Sequence, residues 1–185
     1  MSALVLHFCG PHRDGSWSPL YHRLEAAVHV AREECAPLLV VGDAYGGRAV
    51  EHFVAFARER GIEAVGAFDP GARTLSDVYA SLLAIHDRSE FAVVDRVFVV
   101  TDDWHVERCL EMLRGERDRF LPGRPVRFLD RSTAVGPRPP AWVLDGERRG
   151  IRDYLAGNPY APFGEPFGKP AHPTGGNTHA QPANR

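Results

Sequence analysis

The sequence predicts an α/β protein: a three-layer sandwich in which helices cover both faces of a five-stranded, mainly parallel, Rossmann-like sheet. Two observations predict this fold. Short apolar runs alternate along the chain with longer segments of helical periodicity. The apolar runs are largely unbroken by polar residues, which is typical of strands that are buried on both faces of a parallel sheet.

Five apolar runs have the length of strands and are separated by segments long enough to be helices. The predicted strands are Leu4–Phe8, Leu38–Val41, Ala64–Phe68, Arg96–Val100 and Val126–Leu129. The predicted helices between them are Pro19–Glu34, Arg48–Arg60, Leu75–Asp87 and Trp104–Gly115. A fifth helix, over Trp142–Leu155, is expected to pack on the sheet.

Apolar residues recur at helical spacing in the first two predicted helices. In the first, the stripe is Leu20, Leu24, Ala27, Val28 and Ala31. In the second, it is Val50, Phe53, Val54 and Ala57. Ser18-Pro19 predicts the start of the first helix, and Gly61 predicts the end of the second.

The composition changes after residue 157. From Asn158 onward the chain has six prolines, four glycines and hardly any aliphatic residues. Such a segment lacks the apolar surface for a core. The sequence therefore predicts one domain over residues 1–157 and a tail over 158–185 that is disordered or lies on the surface.

Composition and charge exclude several classes of protein. The chain has 185 residues, with 22 Lys and Arg against 24 Asp and Glu, and this balance argues against a nucleic-acid binder. No apolar run reaches the length of a membrane span, and the N-terminus has no signal-peptide pattern. The three cysteines are odd in number and lack C-x-x-C spacing, so reduced thiols and a cytoplasmic location are expected.

The motifs of three common α/β enzyme classes are missing. The sequence contains no G-x-G-x-x-G after its first strand, no G-x-x-x-x-G-K-[ST] and no G-x-S-x-G. A conventional dinucleotide dehydrogenase, a P-loop NTPase and a serine hydrolase of the α/β class are therefore disfavoured. No His and Cys residues have zinc-ligand spacing, although carboxylates from separate loops could still converge on a metal.

Ligands of open α/β sheets bind beyond the carboxyl ends of the strands. Polar residues and glycines follow each of the first four predicted strands and are the candidates for ligand contact. They are Gly10, His12, Asp43, Gly46, Gly47, Asp69, Thr74, Thr101 and Asp103. Gly46-Gly47 precedes a helix and is either an anion seat or a plain turn. Thr74 is either the N-cap of a capping box with Asp77 or a ligand contact.

Three further side chains are candidates because of their positions on helices. Arg23 lies in the first turn of its helix, where a cation is disfavoured unless it faces an anion or a buried loop carboxylate. His105 and Arg108 are three residues apart at the start of the fourth helix and share a face. A histidine at a helix N-terminus has a lowered pKa, which suits general acid/base catalysis. A solvated histidine beside a surface arginine is the simpler alternative.

Over residues 3–130 the order of these motifs resembles that of the YdcF/SanA/ElyC family of bacterial proteins. The matching segments are Arg23-Leu24-Glu25-Ala26-Ala27, Gly42 to Gly46-Gly47 with Glu51, Asp69 with Arg73-Thr74-Leu75-Ser76-Asp77, and Thr101 to Cys109. The last segment is the most specific. The resemblance implies a Rossmann-like fold and, in the YdcF branch without a membrane anchor, S-adenosylmethionine as a candidate cofactor.

The chain departs from the family pattern in two places. Val41-Gly42-Asp43 stands where the family has Ser-Gly-Gly, and the double glycine comes later. Arg73 and Asp77 replace two asparagines, so that two neutral amides have become a cation and an anion. These changes indicate that the ligand differs from the family's usual one.

Three functions are consistent with this pattern. The first is an enzyme acting on an anionic or nucleotide-like small molecule, with His105 as general acid/base and Glu51, Asp69 or Asp77 as a second titrating group or orienter. The second is a non-catalytic module that binds S-adenosylmethionine or a nucleotide. The third is a metal-dependent phosphoesterase using Asp43, Asp69, Asp77 and Asp103. No membrane or nucleic-acid partner is expected.

Overall fold

A computed structural model of the chain describes residues 2–9, 18–42, 48–68, 73–133 and 139–157. Its strands are β1 Ser2–Phe8, β2 Leu38–Val41, β3 Ala64–Ala67, β4 Val94–Val100 and β5 Arg127–Asp130. They form one parallel sheet in the order β3-β2-β1-β4-β5. The helices are α1 Ser18–Glu33, α2 Arg48–Glu59, α3 Thr74–Asp87, α4 Val106–Phe120 and α5 Ala141–Leu155, with a short 3₁₀ turn at Ser89–Phe91.

Strand β1 shows how the sheet divides the core into two layers. Its alternate residues Leu4 and Leu6 pack with α3 and α4, while Ala3 and Val5 pack with α1 and α2. Successive side chains of a strand point to opposite faces, so the unbroken apolar run Ala3 to Leu6 is buried on both. The three-layer Rossmann-like sandwich predicted from the sequence is confirmed.

The predicted apolar stripes of α1 and α2 face the core, apart from Leu20, whose side chain lies outside the described part of the structure. Leu24, Ala27, Val28 and Ala31 of α1 are buried against the sheet, as are Val50, Phe53, Val54 and Ala57 of α2. Gly61 adopts a left-handed conformation with φ of 75°, and its N–H donates to the carbonyl of Arg58 over 2.9 Å. The glycine therefore ends α2 as predicted.

Helix α4 is longer than predicted and starts later. The N–H groups of His105 and Val106 both donate to the carbonyl of Asp102 over 3.0 Å, so the residues before Val106 form a turn. Gly115 was expected to end this helix but lies in its interior. The reason is a close approach, since the Tyr154 hydroxyl of α5 packs where a Cβ of Gly115 would stand.

The packing of α5 differs from the prediction. The helix was expected to lie on the sheet, and it packs instead on α4. The Tyr154 hydroxyl donates to Oε1 of the buried Glu116 over 3.0 Å, and Arg119 lies 3.3 Å from the other oxygen of that carboxylate. This hydrogen-bonded contact fixes the position of α5 along α4. The tail predicted over residues 158–185 lies outside the described residues.

The contact between Gly115 and Tyr154 gives a testable prediction. Gly115→Ala is expected to lower the free energy of unfolding by about 1–3 kcal/mol, because the new methyl group would overlap the tyrosine ring that Glu116 holds in place. Gly146→Ala is the matched control, since a Cβ at this position of α5 meets nothing within 4 Å. It should raise the free energy of unfolding by about 0.5–1 kcal/mol. Urea unfolding measures both, and equal stabilisation of the two variants would contradict this packing.

Candidate functional site

The strand order places a topological switch point between β1 and β4. The chain proceeds from β1 to β2 and β3 on one side and continues through β4 and β5 on the other. In open α/β sheets the crevice at such a point, beyond the carboxyl ends of the strands, is where ligands bind. Thr101 and Asp102 follow β4 directly at this edge, and α4 starts a few residues later.

A buried ion pair joins α1 to the end of β4. Nη2 of Arg23 lies 2.5 Å from Oδ2 of Asp102, and the two side chains are 14% and 5% exposed. Nη1 of Arg23 also donates to the carbonyl of Cys9 over 3.5 Å. Burial raises the pKa of Asp102, while the positive charge of Arg23 acts in the opposite direction. The sequence placed Arg23 in the first turn of its helix, whereas the structure places it in the second turn of α1. Its position is explained by a loop carboxylate, the simpler of the two sequence-based alternatives.

A second charged group surrounds His105 just before α4. Nδ1 of His105 lies 2.8 Å from Oε2 of Glu147, which comes from α5. Nε of Arg108 lies 3.0 Å from the same oxygen, but its N–H is not aligned with it, so this contact is an ion pair without a hydrogen bond. The predicted common face of His105 and Arg108 therefore meets one carboxylate.

Burial is the main cause of the lowered pKa of His105, because it disfavours the charged imidazolium. The carboxylate of Glu147 acts in the opposite direction, and the guanidinium groups of Arg108 and Arg23 add to the lowering. The sequence predicted this direction from the helix N-terminus, whereas the structure assigns it chiefly to desolvation. The result is a neutral imidazole near pH 7.

Two buried polar atoms lie at the switch point, one on β1 and one directly after β4. Nδ1 of His7 donates to the carbonyl of Val100 over 3.3 Å, and its buried Nε2 has no hydrogen-bond partner among the described residues. The buried Oγ1 of Thr101 likewise has no partner in the described part of the chain. Burial and the charge of Arg23 lower the pKa of His7 to about 3. Buried polar groups without partners are uncommon in protein interiors, so we count Nε2 of His7 and Oγ1 of Thr101 as features of the candidate site.

The carboxylate of Asp77 lies at the carboxyl end of β2. A Cβ built on Gly42 would stand 3.1 Å from its Oδ2, so the backbone of Gly42 packs directly against this side chain. Gly42 has φ of 97°, which also favours glycine. The capping box predicted for Thr74 and Asp77 was wrong. Arg73 is the N-cap of α3, and the Ser76 hydroxyl accepts a hydrogen bond from its N–H over 3.0 Å.

Two predicted site residues lie apart from the buried charged and polar residues at the switch point. Glu51, predicted as catalytic, is exposed in the first turn of α2. Asp103, predicted to contact ligand, is exposed, whereas its neighbour Asp102 is buried and paired. Thr74 is half-buried at the start of α3. The remaining candidates lie outside the described residues and are Gly10, His12, Asp43, Gly46, Gly47 and Asp69.

The structure adds three residues that the sequence reasoning did not select: Asp102, Glu147 and His7. Glu147 is 42 residues from His105 in the chain. Helical spacing could have identified its face, because Glu147, Gly150 and Tyr154 follow at intervals of three and four. It could not have identified the partner of that face. The signal for His7 was a single polar residue in the otherwise apolar predicted strand Leu4–Phe8.

The described residues include no group of three or more His, Cys, Asp or Glu side chains that could hold a metal ion. Among the helices that the structure describes, none is both long enough and apolar enough to cross a membrane. Cys9 and Cys109 are buried and Cys35 is exposed, and no disulfide joins them.

Comparison with known proteins gives no match, either to a protein-family model or to a curated protein. The resemblance to the YdcF/SanA/ElyC family therefore stays a prediction. The fold is shown by the structure itself.

Proposed function

We propose that the chain is an enzyme that binds an anionic or nucleotide-like small molecule at the β1–β4 switch point and uses His105 as its general acid/base. One observation carries this proposal. A buried histidine with a lowered pKa lies beside a carboxylate at the edge of the sheet where ligands of this fold class bind. A neutral imidazole can accept a proton near pH 7 and return it.

Arg23 and Arg108 supply the positive charge for an anionic ligand. A guanidinium group has five N–H donors, and Asp102 and Glu147 each engage only part of this set. Both side chains are partly accessible, with 14% and 13% of their surface exposed. The donors that remain support recognition of a phosphate or carboxylate, since bidentate contacts of this kind are strong.

S-adenosylmethionine is proposed as a cofactor on the family resemblance alone. Its sulfonium group is a cation, and the carboxylate of Asp77 at the carboxyl end of β2 is suited to face it. The cytoplasm is the proposed location, because no disulfide joins the three cysteines.

A thermal-shift titration of the purified chain tests the proposal. The probes are S-adenosylmethionine, S-adenosylhomocysteine, adenosine 5′-monophosphate and inorganic phosphate. A ligand that binds only the native state raises the melting temperature. At a concentration of 100 times Kd it adds about 2.7 kcal/mol to the free energy of unfolding. We expect a shift with adenosine 5′-monophosphate or phosphate from the anionic ligand site, and a shift with S-adenosylmethionine as the proposed cofactor. A shift with S-adenosylmethionine alone would replace the anionic ligand by the cofactor of the second hypothesis, and no shift with any probe would contradict the proposed site.

A further inference from the structure

We infer that Glu147 is a positioning residue that holds a proton on Nδ1 of His105, so that Nε2 is the nitrogen that exchanges protons with a ligand. This inference rests on the proposed function for the role of His105. Helix α5 then contributes a residue to the site, in addition to packing on α4. The sequence predicted Glu51, Asp69 or Asp77 as the residue that orients His105, and we assign this role to Glu147.

The tautomer follows from the chemistry of the two partners of Nδ1. Oε2 of Glu147 lies 2.8 Å from Nδ1, and an ionised carboxylate can only accept a hydrogen bond, so the hydrogen resides on Nδ1. Nη2 of Arg108 lies 3.5 Å from the same Nδ1 and would require it to accept. The contact with Glu147 is shorter and charge-assisted, and it decides the tautomer.

The neighbouring charges explain why Glu147 orients the ring without keeping it protonated. Its Oε2 is also 3.0 Å from Nε of Arg108, so the positive charge of Arg108 compensates the carboxylate. The other charged groups that act on the imidazole are Arg23 and Asp102. The side chains of His105 and Glu147 are both only 12% exposed, so little of this contact is open to competing water.

Close packing holds Glu147 in place. A Cβ built on Gly150, one turn further along α5, would lie 2.8 Å from Nη1 of Arg108 and 2.9 Å from its Cδ. The arginine thus lies directly on the backbone of α5. The hydrogen bond between Tyr154 and Glu116 fixes the same helix one turn later. Arg108 and α5 together set the position of the carboxylate opposite Nδ1.

The test measures ring-nitrogen shifts of the ¹⁵N-labelled full chain in two-bond ¹H–¹⁵N spectra over a pH series. His105 is assigned by the loss of its signals in His105→Gln. In the wild type we expect a protonated Nδ1 and a pyridine-type Nε2 at pH values above the pKa of the ring. In Glu147→Gln we expect the fraction with a protonated Nδ1 to fall and the pKa of His105 to decrease, because an amide can donate to Nδ1 and carries no charge.

Asp145→Asn is the matched control, because it removes a carboxylate from the same helix at a side chain that is 62% exposed. Both the tautomer and the pKa of His105 should stay as in the wild type. A wild-type ring with its proton on Nε2 would overturn the inference, even if Glu147→Gln failed to fold. An unchanged tautomer in a folded Glu147→Gln would overturn it as well. These results do not depend on any ligand, so they are distinct from a failure of the proposed function in the thermal-shift titration.

Discussion

Acidification from pH 7 to about pH 4.5 is expected to lower the free energy of unfolding by about 2.5 kcal/mol through His7 alone. The pKa of His7 is about 3 in the folded protein, against 6.5 as its ordinary value. Between these two values the unfolded chain binds a proton that the folded chain does not, so stability falls as the pH falls. The contribution is complete above pH 6.5 and is lost progressively down to about pH 3.

The variant His7→Leu isolates this effect. Leucine cannot titrate and fits a strand position between two apolar layers, so the variant should lose less stability on acidification than the wild type. The free energies of unfolding come from urea titrations at several pH values. His29→Leu is the matched control, because it makes the same substitution at a histidine that is exposed on α1. Parallel pH curves for wild type and His7→Leu would show that His7 is not buried as a neutral ring.

Asp102→Ala is expected to lower the free energy of unfolding by about 3–5 kcal/mol. The change leaves the guanidinium of Arg23 buried without its carboxylate, and an uncompensated buried charge is costly. The double variant Arg23→Met/Asp102→Ala removes both charges and should recover part of the loss. Denaturant unfolding of the single and double variants measures this coupling.

An exposed ion pair provides the comparison for Asp102→Ala. Asp145 and Arg148 form a pair on α5 with side chains that are 62% and 78% exposed. Because water screens such charges, Asp145→Ala should leave the free energy of unfolding nearly unchanged. Equal effects of the Asp102 and Asp145 substitutions would contradict the buried pair. A double variant less stable than Asp102→Ala would also contradict it, because the contact of Arg23 with the carbonyl of Cys9 would then outweigh its pairing with Asp102.

The sequence predicted the layers of this fold because the periods of strands and helices are local properties. Val5 and Leu6 had to face opposite helix layers in any parallel sheet, and the stripe containing Phe53 had to face the core. The end of α4 could not be predicted in the same way. Glycine has a low helix propensity, so Gly115 was expected to end the helix. Its place inside the helix is explained by the docking of Tyr154 from α5, which leaves no room for a Cβ.

The same division between local and tertiary causes applies to the site. His105 and Arg108 share a face because they are one helical turn apart, and this could be predicted from spacing. Which of Asp102 and Asp103 becomes buried depends on how the chain leaves β4 and where Arg23 reaches from α1. The contact between Glu147 and His105 depends on how α5 docks, which no local pattern of the sequence encodes.

The most direct test of the ligand site compares the thermal shift given by adenosine 5′-monophosphate and by phosphate in wild type, Arg108→Met and Arg148→Met. Each shift is measured against the variant's own melting temperature without ligand. Arg108 lies beside His105 and Glu147, whereas Arg148 is on the same helix as Glu147 but is 78% exposed. The proposed site predicts a shift in the wild type and in Arg148→Met that is lost in Arg108→Met. A full shift in Arg108→Met, or no shift in the wild type, would contradict it.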